Sequence, residues 1–302
     1  MSEQDQRPNP FGETWFPSRF GAGDELGALN FLSAEKVLQA ARLVREGRCY
    51  SLAVPTGPDT PAYPPRSFQM HIVSPAQYGG ATWGTNQAGG IDEFMITWAG
   101  IGTHLDGLGH IAINNRFYNG NSADDVYEHT GVKKFGTHTL PPIVTRGLLL
   151  DIAGLKGVDI MEPGEVITPG DIEAAQERQG VTLERGDAVL LRTGWIKLLH
   201  TDPERFMGSI PGIGKAAARL FADAEVSVIG LDQYATEVMP AEEEDEFIPV
   251  HQLNLAVNGI YQLQNVQLEE LAEDSVSEFL LVLGLPRFVG ATQMTANPIA
   301  IC

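Results

Sequence analysis

The chain has 302 residues, of which 43% are hydrophobic, and its 20 Lys and Arg against 39 Asp and Glu give a net charge of −19. This charge opposes binding to nucleic-acid phosphates and to anionic lipid, so we expect neither a nucleic acid nor a membrane as partner. The two cysteines, Cys49 and Cys302, indicate neither a disulfide framework nor a cysteine-ligated zinc site.

The first 15 residues are polar and lack the apolar core of a signal peptide, and no apolar run approaches the roughly 20 residues that span a bilayer. We therefore predict a cytoplasmic protein. Helical and strand patterns interleave along the chain without internal repeats or long linkers. This arrangement predicts a single α/β domain over residues 1–302, with an N-terminal extension of about residues 1–50.

In chain order, the first predicted helix follows its cap at Ser33 and ends by Gly47. Residues 51–66 contain five prolines, which exclude a helix there. Residues 94–96 read as a strand that runs into the glycine-rich turn 99–102, and residues 147–151 read as a buried strand.

The second half of the chain alternates helices and buried strands. A helix is predicted from the cap at Thr168 to about Gly180, and another over residues 215–224. Buried strands are predicted at residues 187–192 and 226–230. The acidic run 242–246 is typical of a solvated loop.

The stretch from Gly102 to His110 carries the strongest chemical signal, because it contains His104, Asp106 and His110 among glycines. On a strand, His104 and Asp106 would share one face, since side chains alternate. Imidazole nitrogen and carboxylate oxygen suit Zn²⁺ or Mn²⁺, which lower the pKa of a water and polarise a carbonyl. The same short pattern would also fit a loop in which these side chains only bond to the backbone, so spacing alone leaves both readings open.

Among the other histidines, His251 and His71 are candidates for the same site, whereas His138 is not. His251 lies far along the chain, where a strand or helix could return it to the motif, and His71 follows an apolar patch that could line a pocket. His138 belongs to a second Gly-Thr-His sequence but has no acid two residues later. Phosphate-loop and serine-elbow motifs are incomplete or absent. A metal-assisted reaction is the hypothesis that remains.

These residues resemble the cyclase superfamily of metal-dependent hydrolases, which includes bacterial kynurenine formamidase and isatin hydrolase. The family motif H-x-G-T-H-x-D-x-x-x-H aligns with residues 100–110, which read GIGTHLDGLGH. Further similarity lies in residues 20–30, 118–120, 146–151, 186–195, 229–232 and 297–300. The opening block is similar to the longer branch of the family, of roughly 300 residues.

The resemblance implies a role for each matching residue. His104 and Asp106 correspond to metal ligands, and His110 corresponds to the general acid/base, with Asp106 beside it in the catalytic set. His251 corresponds to the later histidine ligand. Gln264 stands where the family has a ligand glutamate, and is retained here as a fourth candidate ligand.

Two departures from the family pattern concern the metal. Gly100 replaces the first motif histidine and has no side chain to coordinate an ion, and Gln264 is neutral where the family has a carboxylate. The remaining donors could still hold Zn²⁺ or Mn²⁺ with three protein ligands and water. The substitutions equally allow a site of lower affinity or one without metal.

Three functions therefore stay open. The first is a metal-dependent hydrolase of an amide, as in an arylformamidase, or of a lactone in a small aromatic or cyclic compound. The second is a metal-poor cyclase, isomerase or dehydratase that uses His110 and Asp106 as acid and base. The third is a small-molecule binder without turnover. Trp98, Trp83 and His71 are the predicted substrate-binding residues.

The resemblance also implies a fold and an assembly. The fold is the α/β, swivelling β/β/α type, with a closed, barrel-like sheet and flanking helices. Family members are commonly homodimers or homotetramers, and the same is expected here.

Overall fold

A computed structural model describes residues 9–73, 80 and 82–302. Its strands, in chain order, are β1 (Cys49–Ser51), β2 (Phe68–Val73), β3 (Asp92–Thr97), β4 (His104–Asp106), β5 (Tyr127–Glu128), β6 (Gly131–Val132), β7 (Ile143–Asp151), β8 (Val166–Ile167), β9 (Ala188–Arg192), β10 (Gly212–Ile213), β11 (Val228–Leu231), β12 (Tyr261–Gln264), β13 (Glu278–Leu283), β14 (Gln293–Thr295) and β15 (Ile299–Ile301).

The α-helices are α1 (Ala34–Ala41), α2 (Ala123–Val126), α3 (Ile152–Lys156), α4 (Pro169–Gln179), α5 (Leu198–Thr201), α6 (Pro203–Phe206), α7 (Lys215–Asp223), α8 (Pro249–His251) and α9 (Glu269–Glu273). A π-helix, Gln252–Asn258, continues α8, and 3₁₀ turns lie at Gly27–Phe31, Tyr118–Gly120, Thr137–Thr139 and Trp195–Lys197. Among the described residues, no helix is both long and apolar enough to cross a membrane.

In the described part of the chain, nine strands form one sheet in the order β1-β15-β13-β7-β9-β11-β12-β4-β14. The middle strands β7, β9, β11 and β12 run parallel, whereas the strands on either side pair antiparallel. The sheet is curled into a half-barrel and flanked by helices, as the resemblance predicts. It stays open rather than closed, because β1 and β14 at its two ends do not pair with each other in the described residues.

Two hydrophobic clusters fill the two faces of this sheet. One packs alternate residues of β7, β9 and β11 against α4 and α7, and includes Leu148, Val189 and Phe221. The other packs the opposite residues of the same strands, such as Leu149 and Leu190, against the segments around β1 and β13. Burial on both faces explains why these strands read as continuous apolar runs.

Most of the predicted elements are confirmed. The Ser33 side chain accepts a hydrogen bond from the Lys36 amide at the start of α1, which ends at Ala41, earlier than predicted. Thr168 caps α4, and Gly180 ends it with φ +68°. Residues 51–66 contain no helix, and the acidic loop 242–246 is largely exposed.

A buried ion-pair network fixes α1 to the sheet. Lys36 is 7% exposed and lies 2.6 Å from Asp187 and 2.9 Å from Glu184, while Arg146 on β7 lies 2.7 Å from Glu184. Burial raises the pKa of the Asp187 carboxyl, although Lys36 and Arg146 oppose the shift. The carboxylate therefore depends on these cations for its stability inside the protein.

Replacing Lys36 with alanine is expected to lower the free energy of unfolding by about 3 kcal/mol, because Asp187 would stay buried with its main partner removed. Chemical denaturation at neutral pH measures this loss. Arg219→Ala is the matched control, since it removes an exposed ion pair with Glu13 and should cost under about 1 kcal/mol. Equal losses in both variants would contradict the prediction.

Candidate functional site

The candidate site is built around strand β4, whose residues His104 and Asp106 are 2% and 1% exposed. Both side chains lie on one face of the strand, as predicted from the period of two. β4 lies between β12 and β14, with Gln264 and Thr295 paired beside His104. The sheet therefore surrounds the motif with polar side chains from strands far away in sequence.

The turn before β4 is held by hydrogen bonds to the segment after β12. Thr103 Oγ1 donates to Asn265 O at 2.6 Å, and Asn265 Nδ2 donates to Gly102 O at 2.9 Å. Gly102 has φ +67°, and a Cβ there would overlap the Thr56 hydroxyl, so the position requires glycine. The carbonyl of Gly102 also lies 2.8 Å from His104 Nδ1, and thereby orients the imidazole.

His251 reaches the site from the end of α8 and is 5% exposed. Its Nδ1 contacts the Glu237 carboxylate, which is 1% exposed and also accepts the backbone amides of Val250 at 2.9 Å and His251 at 3.2 Å. Glu237 thus both caps the start of α8 and orients the His251 imidazole. Glu237 lies in the loop between β11 and α8, and no sequence motif predicted it.

Three imidazoles surround the Asp106 carboxylate. The distances from their Nε2 atoms are 3.7 Å for His104 and 3.9 Å for His110, both to Oδ1, and 3.5 Å for His251 to Oδ2. Asp106 Oδ1 is buried and has no hydrogen-bond partner among the described residues. The structure therefore brings the predicted residues together around a carboxylate oxygen that is left without a donor.

Burial and neighbouring charges set the protonation of the cluster. Burial would raise the pKa of Asp106, but the three histidines lower it well below its usual range. Burial lowers the pKa of His104 and His110, so both imidazoles are neutral at pH 7. Burial also opposes charge on His251, but Glu237 and Asp106 override it and raise the pKa of His251 to about 10.

Gln264, the fourth predicted ligand, joins two members of the cluster. Its Nε2 donates to Asp106 Oδ2 at 3.0 Å and lies 2.7 Å from His251 Nε2. The side-chain amide occupies the space between the carboxylate and the imidazole. A carboxamide carries both an oxygen acceptor and a nitrogen donor. Gln264 can therefore coordinate an ion through its oxygen or donate a hydrogen bond through its nitrogen.

The donor atoms of the cluster, imidazole nitrogen and carboxylate oxygen, are of the types that bind a divalent ion. Among the described residues, no group of three or more His, Cys, Asp and Glu side chains is arranged so that it could hold a metal ion. However, Nδ1 of both His104 and His251 is held by an oxygen acceptor, which leaves Nε2 directed at Asp106, as in metal sites with outer hydrogen bonds. The unpartnered Asp106 Oδ1 supplies the carboxylate oxygen.

The position of Gly100 is surrounded by two polar groups. A Cβ at this residue would overlap the Gln293 Oε1 atom and lie 2.9 Å from Arg66 Nη1. Arg66 donates to Gly100 O at 3.0 Å, while Gln293 Oε1 is buried and no described residue gives it a hydrogen bond. Gln293 pairs with Asp106 across the β4–β14 ladder, so both side chains face the site.

The predicted substrate-binding residues lie in and around the separate two-stranded sheet of β2 and β3. Trp83, Trp98 and His71 belong to the segment around β2 and β3 and are exposed, and His71 stacks on Phe94 with ring centroids 6.1 Å apart. Nothing in the described structure brings them to the cluster around Asp106. Their role in substrate binding stays a prediction.

The sequence also matches a known family. The model of the Cyclase family matches residues 50–238, which include β4, His110 and Glu237. The chain belongs to the Cyclase family. No curated protein matches the sequence.

Solved structures show the same fold. A crystal structure described as a novel cyclase is 27% identical with a TM-score of 0.86, and the match covers 98% of this chain and 100% of that one. Isatin hydrolase A from Ralstonia solanacearum is 20% identical with a TM-score of 0.63, covering 89% and 97%. A predicted metal-dependent hydrolase from Bacillus stearothermophilus is 17% identical with a TM-score of 0.55, covering 85% and 98%.

Proposed function

We propose that the chain is a metal-dependent hydrolase that cleaves an amide or lactone bond in a small aromatic or cyclic carbonyl compound. The observation that carries the proposal is the buried, unpartnered Asp106 Oδ1, faced by the Nε2 atoms of His104 and His110. Two structural neighbours are described as isatin hydrolase and as a metal-dependent hydrolase, which is consistent with this chemistry.

His104, Asp106 and His251 would hold the ion, with Gln264 as a neutral fourth donor. Zn²⁺ or Mn²⁺ bound there would supply a Lewis acid for the carbonyl oxygen and make a nearby water nucleophilic near neutral pH. Because His251 is protonated below pH 10 in the free site, an ion must displace that proton, so metal affinity is expected to rise with pH.

His110 is the proton carrier in this mechanism. It is the most exposed member of the cluster, at 19%, and so lies where a substrate can enter. Its lowered pKa keeps the imidazole neutral at pH 7, so Nε2 can accept a proton from the attacking water. The same nitrogen then returns the proton to the leaving nitrogen or oxygen, and Asp106 stabilises the imidazolium formed in between.

The proposal is tested by measuring metal content and hydrolysis together. Purified protein is expected to hold a divalent ion, to lose hydrolysis in chelator and to recover it with Zn²⁺ or Mn²⁺. Three test substrates represent the bonds that the enzyme is proposed to cleave: an N-formyl aromatic amide, a cyclic amide such as isatin, and an aryl lactone. Full activity in chelator, with loss of turnover in His110→Ala but not in His251→Ala, would favour a metal-poor acid/base enzyme instead. Tight binding of these compounds without turnover would favour a binding protein.

The Gly100 position offers a separate prediction about metal affinity. Restoring the motif histidine with Gly100→His adds a ligand, but its Cβ would overlap Gln293 Oε1. We expect the double variant G100H/Q293A to bind Zn²⁺ roughly tenfold or more tightly than G100H alone, because contacting sites couple by about 0.5–3 kcal/mol.

Equilibrium titration with Zn²⁺ measures this coupling. Gln179→Ala is the control for the glutamine change, since Gln179 is a partly buried glutamine on α4 that bonds to the backbone of β7 and to Ser277. In the G100H background it should not alter affinity. If Q293A changes the Zn²⁺ affinity by the same factor with and without G100H, the two side chains do not overlap and the prediction is wrong.

A further inference from the structure

Arg66 lies at the edge of the cluster around Asp106 and has no part in the proposed ligand set or in proton transfer by His110. It follows the proline-rich segment, precedes β2 and is half-buried. Its Nη1 donates a hydrogen bond to the carbonyl oxygen of Gly100 at 3.0 Å. Gly100 lies four residues before His104, in the turn that leads into β4, so this bond places the guanidinium beside the motif.

The guanidinium is held in place by its own segment and by the lack of a side chain at Gly100. The Arg66 amide donates to Tyr63 O at 2.8 Å, and the Tyr63 ring packs edge-on against Tyr234 with ring centroids 5.1 Å apart. Tyr234 belongs to the loop after β11 that also carries Glu237. A Cβ at Gly100 would lie 2.9 Å from Arg66 Nη1, so glycine leaves room for the guanidinium. Because Arg66 is already positioned, it loses little freedom when it binds a ligand.

Arg66 has no carboxylate to pair with in the described part of the chain. The three buried cations among these residues each contact a carboxylate oxygen, at 2.6, 2.7 and 2.8 Å for Lys36, Arg146 and Arg192. By contrast, no described Asp or Glu oxygen lies within 4.0 Å of the Arg66 guanidinium. Its hydrogen bond to Gly100 uses one of five N–H donors. A guanidinium in this state is suited to a bidentate pair with a carboxylate of a ligand.

The charge of Arg66 reaches the reaction site. Burial is the largest cause of the lowered pKa of His104 and of His110, and the positive charge of Arg66 lowers the pKa of both further. Gln293, which pairs with Asp106 across the β4–β14 ladder, borders the same Gly100 position as the guanidinium. A substrate whose carbonyl lies at His110 can therefore place a second group at Arg66.

We propose that Arg66 is a specificity-determining residue that binds a carboxylate group of the substrate, so that the enzyme acts on an anionic carbonyl compound. This inference rests on the proposed hydrolase function and narrows its substrate class. A neutral amide or lactone leaves the guanidinium without a partner of opposite charge, whereas a carboxylate accepts two parallel hydrogen bonds from it. Because the chain carries −19, a carboxylate substrate is repelled by most of its surface and requires a local cation at the site.

Turnover of a matched pair of substrates tests the proposal. 2-Formamidobenzoate carries a carboxylate, its methyl ester carries the same formamide without the charge, and formate release measures both. Wild-type kcat/KM is expected to be at least about tenfold higher for the acid. Arg66→Gln keeps an N–H donor for Gly100 O but removes the charge. It should lower kcat/KM for the acid about 10–100-fold, mainly through KM, and change that for the ester less than about threefold.

Two further variants control for charge and for the loss of an arginine. Arg66→Lys keeps the charge without the paired donors and should recover only part of the preference for the acid. Arg219→Gln removes an exposed cation paired with Glu13 and should leave both substrates unaffected. Circular dichroism and metal content confirm that each variant is folded and loaded. Equal losses for acid and ester in Arg66→Gln, or a loss confined to kcat, would overturn the proposal, because Arg66 would then support the motif turn or the transition state.

Binding to chelator-treated protein separates this proposal from the hydrolase function. Calorimetric titration of the wild type is expected to show at least about tenfold tighter binding of the acid than of the ester, and Arg66→Gln should bind the two equally. This preference in a protein that hydrolyses neither compound would contradict the hydrolase function but support the carboxylate site. Hydrolysis of both compounds with no preference in turnover or binding would support the hydrolase function and overturn the role of Arg66.

Discussion

Replacing His110 with alanine is expected to lower the turnover of the amide or lactone substrate by about 10²–10⁴-fold, the usual contribution of a positioned acid/base. Its affinity for a divalent ion should change little. The reason is geometric, because His110 Nε2 lies 3.9 Å from Asp106 Oδ1 on the exposed side of the cluster, whereas His104 and His251 are buried beneath it.

Two matched variants separate this role from that of a ligand. His104→Ala should lose metal binding and turnover together. His138→Ala removes the histidine of the second Gly-Thr-His sequence, which contacts the Gly290 amide at 3.3 Å, and should preserve both. If His110→Ala loses metal to the same extent as His104→Ala, His110 is a ligand rather than a proton carrier.

Patterns among residues that are close together in the sequence predicted helices and strands correctly. The alternation of side chains correctly placed His104 and Asp106 on one face of β4. The capping box at Thr168 with Asp171, together with Gly180, marked both ends of α4 correctly. These signals depend on neighbouring residues alone, so no knowledge of the tertiary fold is needed to interpret them.

Groups that long-range packing brings to the site could not be predicted in this way. Glu237 reaches His251 only because the loop after β11 folds over the start of α8. Gln293 lies far from Gly100 in sequence, and only the β4–β14 register places its oxygen against that glycine. Neither residue has a motif, and a single sequence contains no information on which pairs of strands will meet.

The same limit applies to the two-stranded sheet of β2 and β3. Residues 94–96 were predicted as a strand from their apolar character, which is correct, but apolar side chains normally indicate burial. The structure leaves them exposed on a two-stranded sheet. An apolar pattern therefore predicted the strand correctly but not the exposure of its side chains.

Replacing Glu237 with alanine should have a large effect on the metal-free protein. Glu237 is the main cause of the raised pKa of His251, so its loss leaves a buried imidazole without its counter-charge. We expect the free energy of unfolding to fall by about 3–5 kcal/mol at pH 6. With metal, affinity should fall about 10–100-fold, because the oriented Nδ1 hydrogen bond is lost.

The pH dependence of this variant follows from the direction in which folding shifts the pKa of His251. The folded-state pKa of His251, about 10, lies above its unfolded value of about 6.5. The pair therefore stabilises the folded protein fully below pH 6.5, and this stabilisation is lost as the pH rises through 10. The stability difference between wild type and Glu237→Ala should accordingly shrink over that range in chelator-treated protein.

Denaturation curves at a series of pH values measure this difference. Glu242→Ala is the control, because Glu242 is an exposed carboxylate that accepts the backbone amide of Lys215, and its loss should cost under about 1 kcal/mol without a trend between pH 6.5 and 10. Glu237→Gln keeps an oxygen for the backbone amides but removes the charge, so it should show the lost pH dependence with a smaller loss of stability. The prediction is contradicted if the difference in free energy of unfolding between wild type and Glu237→Ala stays constant from pH 6.5 to 10. Glu237 would then act through its hydrogen bonds to the backbone and not through the charge on His251.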